Sequence, residues 1–222
     1  MDFFKLLQSL DELLYEIMSW LIFYPITLWR AVTRPRVMMD YANAELGDAA
    51  ERQYTDTLNP PLFLIVTLLV SHAIELSTVG ENAIVGKTTG LAALIDSDTN
   101  LMLLRIVMFS LFPLIMAAHL VRRQSIGLDR DTLRPPFYSQ CYVTAPFALL
   151  LGIGSVLLQQ PLLWVATAGL VLCGLALIWY GTLQIDWFAR HLNVSRWRGF
   201  LHASLVMIES IAATLIVTFL FA

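Results

Sequence analysis

The chain has 222 residues, 58% of them hydrophobic and only 14% charged, with a mean hydropathy of +0.69. Soluble domains carry roughly 45–50% apolar residues, and a chain this short has no interior large enough to hide the excess. The net charge of −3 conceals a strong asymmetry along the chain and gives no case for nucleic-acid binding, while two lone cysteines, Cys141 and Cys173, exclude a disulfide framework.

The first 34 residues set Leu6, Leu7, Leu10, Leu13, Leu14, Ile17, Met18 and Leu21 at three- and four-residue spacings, with Lys5, Gln8, Asp11, Glu12 and Glu16 elsewhere on the wheel. This pattern predicts an amphipathic helix. It runs into an aromatic stretch from Ile17 to Trp29, is expected to break at Pro25, and ends in Arg30, Arg34 and Arg36. Residues 1–36 are therefore expected to lie in the headgroup layer, with a span over residues 13–29 left open. Early acidic residues and the lack of a small-residue cleavage site argue against a cleaved signal peptide. Residues 37–60, polar and of mixed charge, read as a cytoplasmic connector that closes on Pro60 and Pro61.

Five apolar runs follow, near residues 61–79, 101–121, 137–158, 162–183 and 200–222. Each is long enough to cross a hydrocarbon core of ~30 Å. The expected fold class is all-α, a polytopic bundle of five transmembrane helices over residues 61–222. Lys5, Arg30, Arg34, Arg36 and Arg52 precede the first run; Arg122, Arg123, Arg130 and Arg134 separate the second from the third; Arg190, Arg196 and Arg198 separate the fourth from the fifth. Only Lys87 falls in an opposite loop. Positively charged loops resist translocation, so the N-terminus is expected in the cytoplasm and the C-terminus outside, in a bacterial inner membrane.

The chain reads DTLNPPLF at Asp56–Phe63 and DTLRPPFY at Asp131–Tyr138. Proline costs nothing at a helix start, so Pro60, Pro61, Pro135 and Pro136 are read as matched helix entries. Either they are two similar caps or they record a duplicated helical hairpin.

Ionisable groups inside spans mark a structural pair or a functional path. At 1.5 Å per residue, His72 lies ~16 Å and Glu75 ~21 Å from the start of the first span, Arg105 ~6 Å below the outer surface and Glu209 ~14 Å above the inner one. Glu75 matches Arg105 in level, and His72 matches Glu209 near the midplane. The four form a candidate intramembrane polar cluster, either as stabilising pairs or as the lining of a polar path. Gly169 and Cys173 offer a small-residue step for close helix packing, while Pro146, Gly152 and Gly154 mark the third span as the one expected to kink.

Other motifs fail. Gly80 and Gly86–Lys87–Thr88 have the wrong spacing for a phosphate loop and no strand before them. His72 and Glu75 lack the further carboxylates a metal site needs. No cofactor, metal or catalytic group is expected.

The N-terminal segment YPITLWRAVTRPRVMM and the link WYGTLQIDWFARHLNVSRWRGFLHASL into the last span, together with the five-span topology, resemble the Yip1-like membrane proteins. The resemblance implies a non-enzymatic membrane protein; its eukaryotic relatives act in vesicle trafficking and bind small GTPases. The function expected is organisation of membrane or protein partners through the basic inner face and the interfacial helix, with the lipid bilayer as solvent and a homo-oligomer allowed. The alternative is a small permease or channel using the polar cluster.

Overall fold

The computed structural model describes residues 3–79 and 98–220, and every described element is helical. The helices are α1 (Phe3–Thr33), α2 (Pro35–Glu45), α3 (Pro60–Val79), α4 (Asp98–Arg123), α5 (Arg130–Leu158), α6 (Leu163–His191) and α7 (Arg196–Leu220), with a short 3-10 turn at Ala50–Arg52. Helices α3 to α7 each contain a stretch long and apolar enough to cross a membrane. The chain is an integral membrane protein. The loop with Lys87 and the phosphate-loop-like Gly86–Thr88 lies outside the described residues.

Helix α5 is the axis of the bundle. Its apolar window is 56% buried, against 17% for α6 and for α7, and α3, α4, α6 and α2 all pack on it. The fifth membrane-length helix, α7, closes against α6 and α4. The two hairpins differ: α3 and α4 touch sparingly and are held apart on α5, whereas α5 and α6 pack tightly. The tight contact follows from small residues. A side chain at Gly169 would lie within 2.7 Å of the Gly154 carbonyl oxygen and 2.8 Å of the Leu158 nitrogen. Only glycine permits the backbones to approach this closely.

Pro25 does not break the first helix, which runs unbroken to Thr33. Proline removes one helical hydrogen bond and crowds the preceding turn, but both flanks of Pro25 are held by packing. Trp20, Phe23, Tyr24 and Leu28 lie against a core cluster that contains Ala31, Phe63 and Tyr142. The break falls instead at Arg34, whose backbone leaves the helical region (φ −134°, ψ 54°) before Pro35 opens α2, as the residue before a proline tends to do.

The two copies of the repeat take different conformations. In the first, the Asn59 carbonyl accepts from Phe63 N–H and Pro60 begins α3. In the second, α5 has already begun: the Asp129 carboxylate accepts from the N–H groups of Asp131 and Thr132, and the Thr132 hydroxyl accepts from Asp129 N–H. This capping box starts the helix upstream, so Pro135 and Pro136 lie inside α5 rather than at its entry. The carbonyls they leave without helical donors lie near the exposed helix start, where water can serve them.

Residues 37–60 fold as a built joint. Met38, Met39 and Ala42 of α2 are buried against the bundle, and the Ser139 hydroxyl donates to the Met39 carbonyl at 2.7 Å. The amide and carbonyl of Leu58 are both taken, by the Thr27 hydroxyl at 3.0 Å and the Tyr142 hydroxyl at 2.8 Å.

Candidate functional site

Along α3 the residues Leu64, Thr67, Leu68, Ser71, His72 and Glu75 form one buried stripe, the product of their three- and four-residue spacing. Near the arginine-poor end of the bundle this stripe brings the Glu75 carboxylate onto the Arg105 guanidinium of α4 as an ion pair. The two side chains are 10% and 23% exposed. Antiparallel neighbours put these residues at one level, and the low polarity around them makes the charges seek each other.

His72 and Glu209 do not meet. His72 is buried on the α3 stripe with its Nδ1 atom unbonded, while Glu209 sits on an exposed face of α7, a helix that packs against α4 and α6 rather than α3. Residue counting sets depth along a span but not the direction a side chain takes around it. The buried face of α7 is the stripe Gly199, Ala203, Val206 and Ser210, and Glu209 lies about a quarter turn from it. No hydrogen bond or ion pair to a described residue involves Glu209. The four-residue polar cluster is thus divided into a paired Glu75–Arg105, an unbonded His72, and an outward-facing Glu209.

Other polar contacts between the helices involve no carboxylate or guanidinium. Gln140 of α5 and Gln184 of α6, both fully buried, exchange amide hydrogen bonds at 2.9 and 2.7 Å. The Thr144 and Tyr180 hydroxyls lie 3.4 Å apart one turn on. His119 of α4 and His202 of α7 share a hydrogen bond at 3.1 Å, with the Phe188 ring against His119. Uncharged side chains give no sequence signal beyond their polarity inside an apolar run. That signal is present at Gln140, the lone amide of the apolar run 137–158, whereas Gln184 follows directly on the end of the run 162–183.

At the arginine-rich end the basic residues are partly spent on the protein itself. Asp186 of α6 is paired with Arg36 of α2 and with Arg196 of α7, the latter at 3.0 Å, and Arg190 lies 3.5 Å from Asp40. Arg30 pairs with Asp56 at 2.7 Å, and the Tyr41 hydroxyl donates to the same carboxylate at 2.6 Å. The Tyr41 hydrogen bond is the largest influence on the Asp56 carboxyl; burial opposes it, and the hydrogen bond and charge of Arg30 add to it, so the carboxyl lies below its ordinary pKa. Arg122, Arg123, Arg130 and Arg198 remain exposed.

Among the described residues no group of three or more histidine, cysteine or carboxylate side chains is placed to hold a metal ion. Against family models, curated proteins and solved structures the chain finds no match.

Proposed function

We propose that the protein is a non-catalytic scaffold of the Yip1-like kind, set in a bacterial inner membrane with its N-terminus in the cytoplasm, that organises partners in the plane of the bilayer. One observation carries this reading. Glu209 lies near the middle of α7, on an exposed face, among apolar neighbours. A carboxylate facing hydrocarbon at that depth costs about 2.5–3.5 kcal/mol even by the lowest scales, and such groups face a protein partner far more often than lipid.

The same face presents Leu205, Ala212 and Ile216, which with Glu209 are all exposed and spaced four, three and four residues apart. That spacing is the seam by which parallel helices interlock. A second copy of the chain is the occupant that satisfies both features. Two α7 helices related by a twofold axis bring the two Glu209 side chains to one level, facing each other across the seam. At the arginine-rich end, the exposed Arg122, Arg123, Arg130 and Arg198 supply a basic surface for acidic partners or lipid headgroups.

Energy transfer between differently labelled copies in dilute proteoliposomes tests the reading. Transfer is expected for the wild type, retained by Glu209→Gln, which can hydrogen-bond across the seam, and lost in Glu209→Leu. Transfer that is absent in the wild type or untouched by Glu209→Leu contradicts it.

A further inference from the structure

Because α3 and α4 rest separately on α5, a cavity of about 330 Å³ opens between the three helices toward the arginine-poor end. Its walls are mainly apolar, with Leu68, Leu104, Met108 and Leu151 among them, and its polar groups are the Glu75–Arg105 ion pair and the hydroxyls of Ser71 and Ser155. Binding sites for small molecules have this make-up, an apolar cleft with a few convergent polar groups. The outer flanks of both helices are exposed at Leu76, Leu103 and Val107, so the slot faces the hydrocarbon that surrounds the bundle.

The charges in the cavity narrow the class of ligand. A purely anionic head would meet the Glu75 carboxylate and a purely cationic one the Arg105 guanidinium. A head carrying both signs is attracted by each, phosphate to Arg105 and ammonium toward Glu75. Arg105 is fit for this because a guanidinium has five N–H donors and its side chain, which lines the cavity, stays 23% exposed after pairing. The volume, roughly ten waters' worth, takes a headgroup and the first stretch of one chain.

We propose that this cavity holds a membrane phospholipid with a zwitterionic ethanolamine-type headgroup, its phosphate on Arg105 and one acyl chain along Leu68, Leu104 and Met108. The lipid tethers α3 to α4 where direct contact between them is sparse.

The full chain in detergent micelles, given photoreactive phosphatidylethanolamine or photoreactive phosphatidylglycerol with the same chains, tests the site by mass spectrometry of the labelled peptides. The ethanolamine lipid is expected to label residues 68–75 and 101–109 roughly fivefold more than the glycerol lipid, the factor a single partly exposed charge contact is worth. Excess glycerophosphoethanolamine, the same head without chains, is expected not to displace it. Met108→Trp, which fills the cavity and keeps both charges, is expected to lower the labelling to background. Equal labelling by the two lipids, displacement by the chainless head, or labelling unchanged by Met108→Trp in a folded protein each overturns the proposal; the first two need only the wild type.

Discussion

Gln140 and Gln184 face each other across the α5–α6 contact with each amide both donating and accepting, at 2.9 and 2.7 Å, and neither has any exposed surface. In an apolar interior an unmade hydrogen bond is the larger effect, because the stranded group loses water without a replacement. Gln140→Leu is therefore expected to cost about 1–3 kcal/mol by leaving Gln184 unsatisfied. The double variant Gln140→Leu/Gln184→Leu recovers most of that loss, since no polar group remains to be satisfied. Thermal midpoints of the four proteins in one detergent check the cycle.

The Glu75–Arg105 ion pair obeys the same asymmetry with larger charges. Neutralising one partner by Glu75→Gln leaves a mostly buried guanidinium, an expected loss of about 1–3 kcal/mol once its partial exposure is allowed for. Replacing both by leucine is expected to be milder than either single change. A single variant as stable as the wild type would remove the pair from any structural role.

His72 makes the opposite case. Its Nδ1 atom is buried and unbonded, which costs about 1–3 kcal/mol. His72→Leu is expected to keep or raise the thermal midpoint, and a clear fall would show that the ring has a partner.

Depth was legible in the sequence and direction was not. The five long apolar runs coincide with α3 to α7 to within a few residues except at the start of α5 and the end of α6, which both run further into the arginine-rich end, because hydrocarbon thickness imposes the length of the apolar part alone. Glu75 and Arg105 could be paired by level since consecutive helices must lie near each other. Glu209 could not be placed, because its level matches His72 while its side of α7 is decided by which stripe packs on α4 and α6. Local signals also mislead where packing outweighs them. Pro25 is carried inside α1 by the aromatic residues on both sides, and Pro135 and Pro136 are carried inside α5 because Asp129 caps the helix upstream of the repeat.

At the arginine-rich end, the joint between α1 and the α2–α3 connector depends on an ionised Asp56. The Tyr41 and Arg30 hydrogen bonds favour its charged form, so its pKa in the folded protein lies below the unperturbed 3.8. A group depressed in this way stabilises the fold above its unfolded pKa, and the contribution is lost as pH falls through the folded value. The stability difference between wild type and Asp56→Asn is expected to be constant above about pH 5 and to shrink below 3.8. Thermal midpoints measured across that range check it, and a difference that grew in acid would reverse the sign.

The distance between α7 helices of two copies in a lipid bilayer tests the central claim most directly. A nitroxide at Ala212→Cys, in a Cys173→Ala background where the remaining Cys141 is buried, reports that distance by dipolar coupling. Helices interlocked along the Leu205–Ala212 seam lie about 8–10 Å apart, which predicts strong short-range coupling that Glu209→Leu abolishes. Spectra of isolated labels at Ala212, unchanged by Glu209→Leu, would mean that the carboxylate faces lipid and that the seam joins nothing.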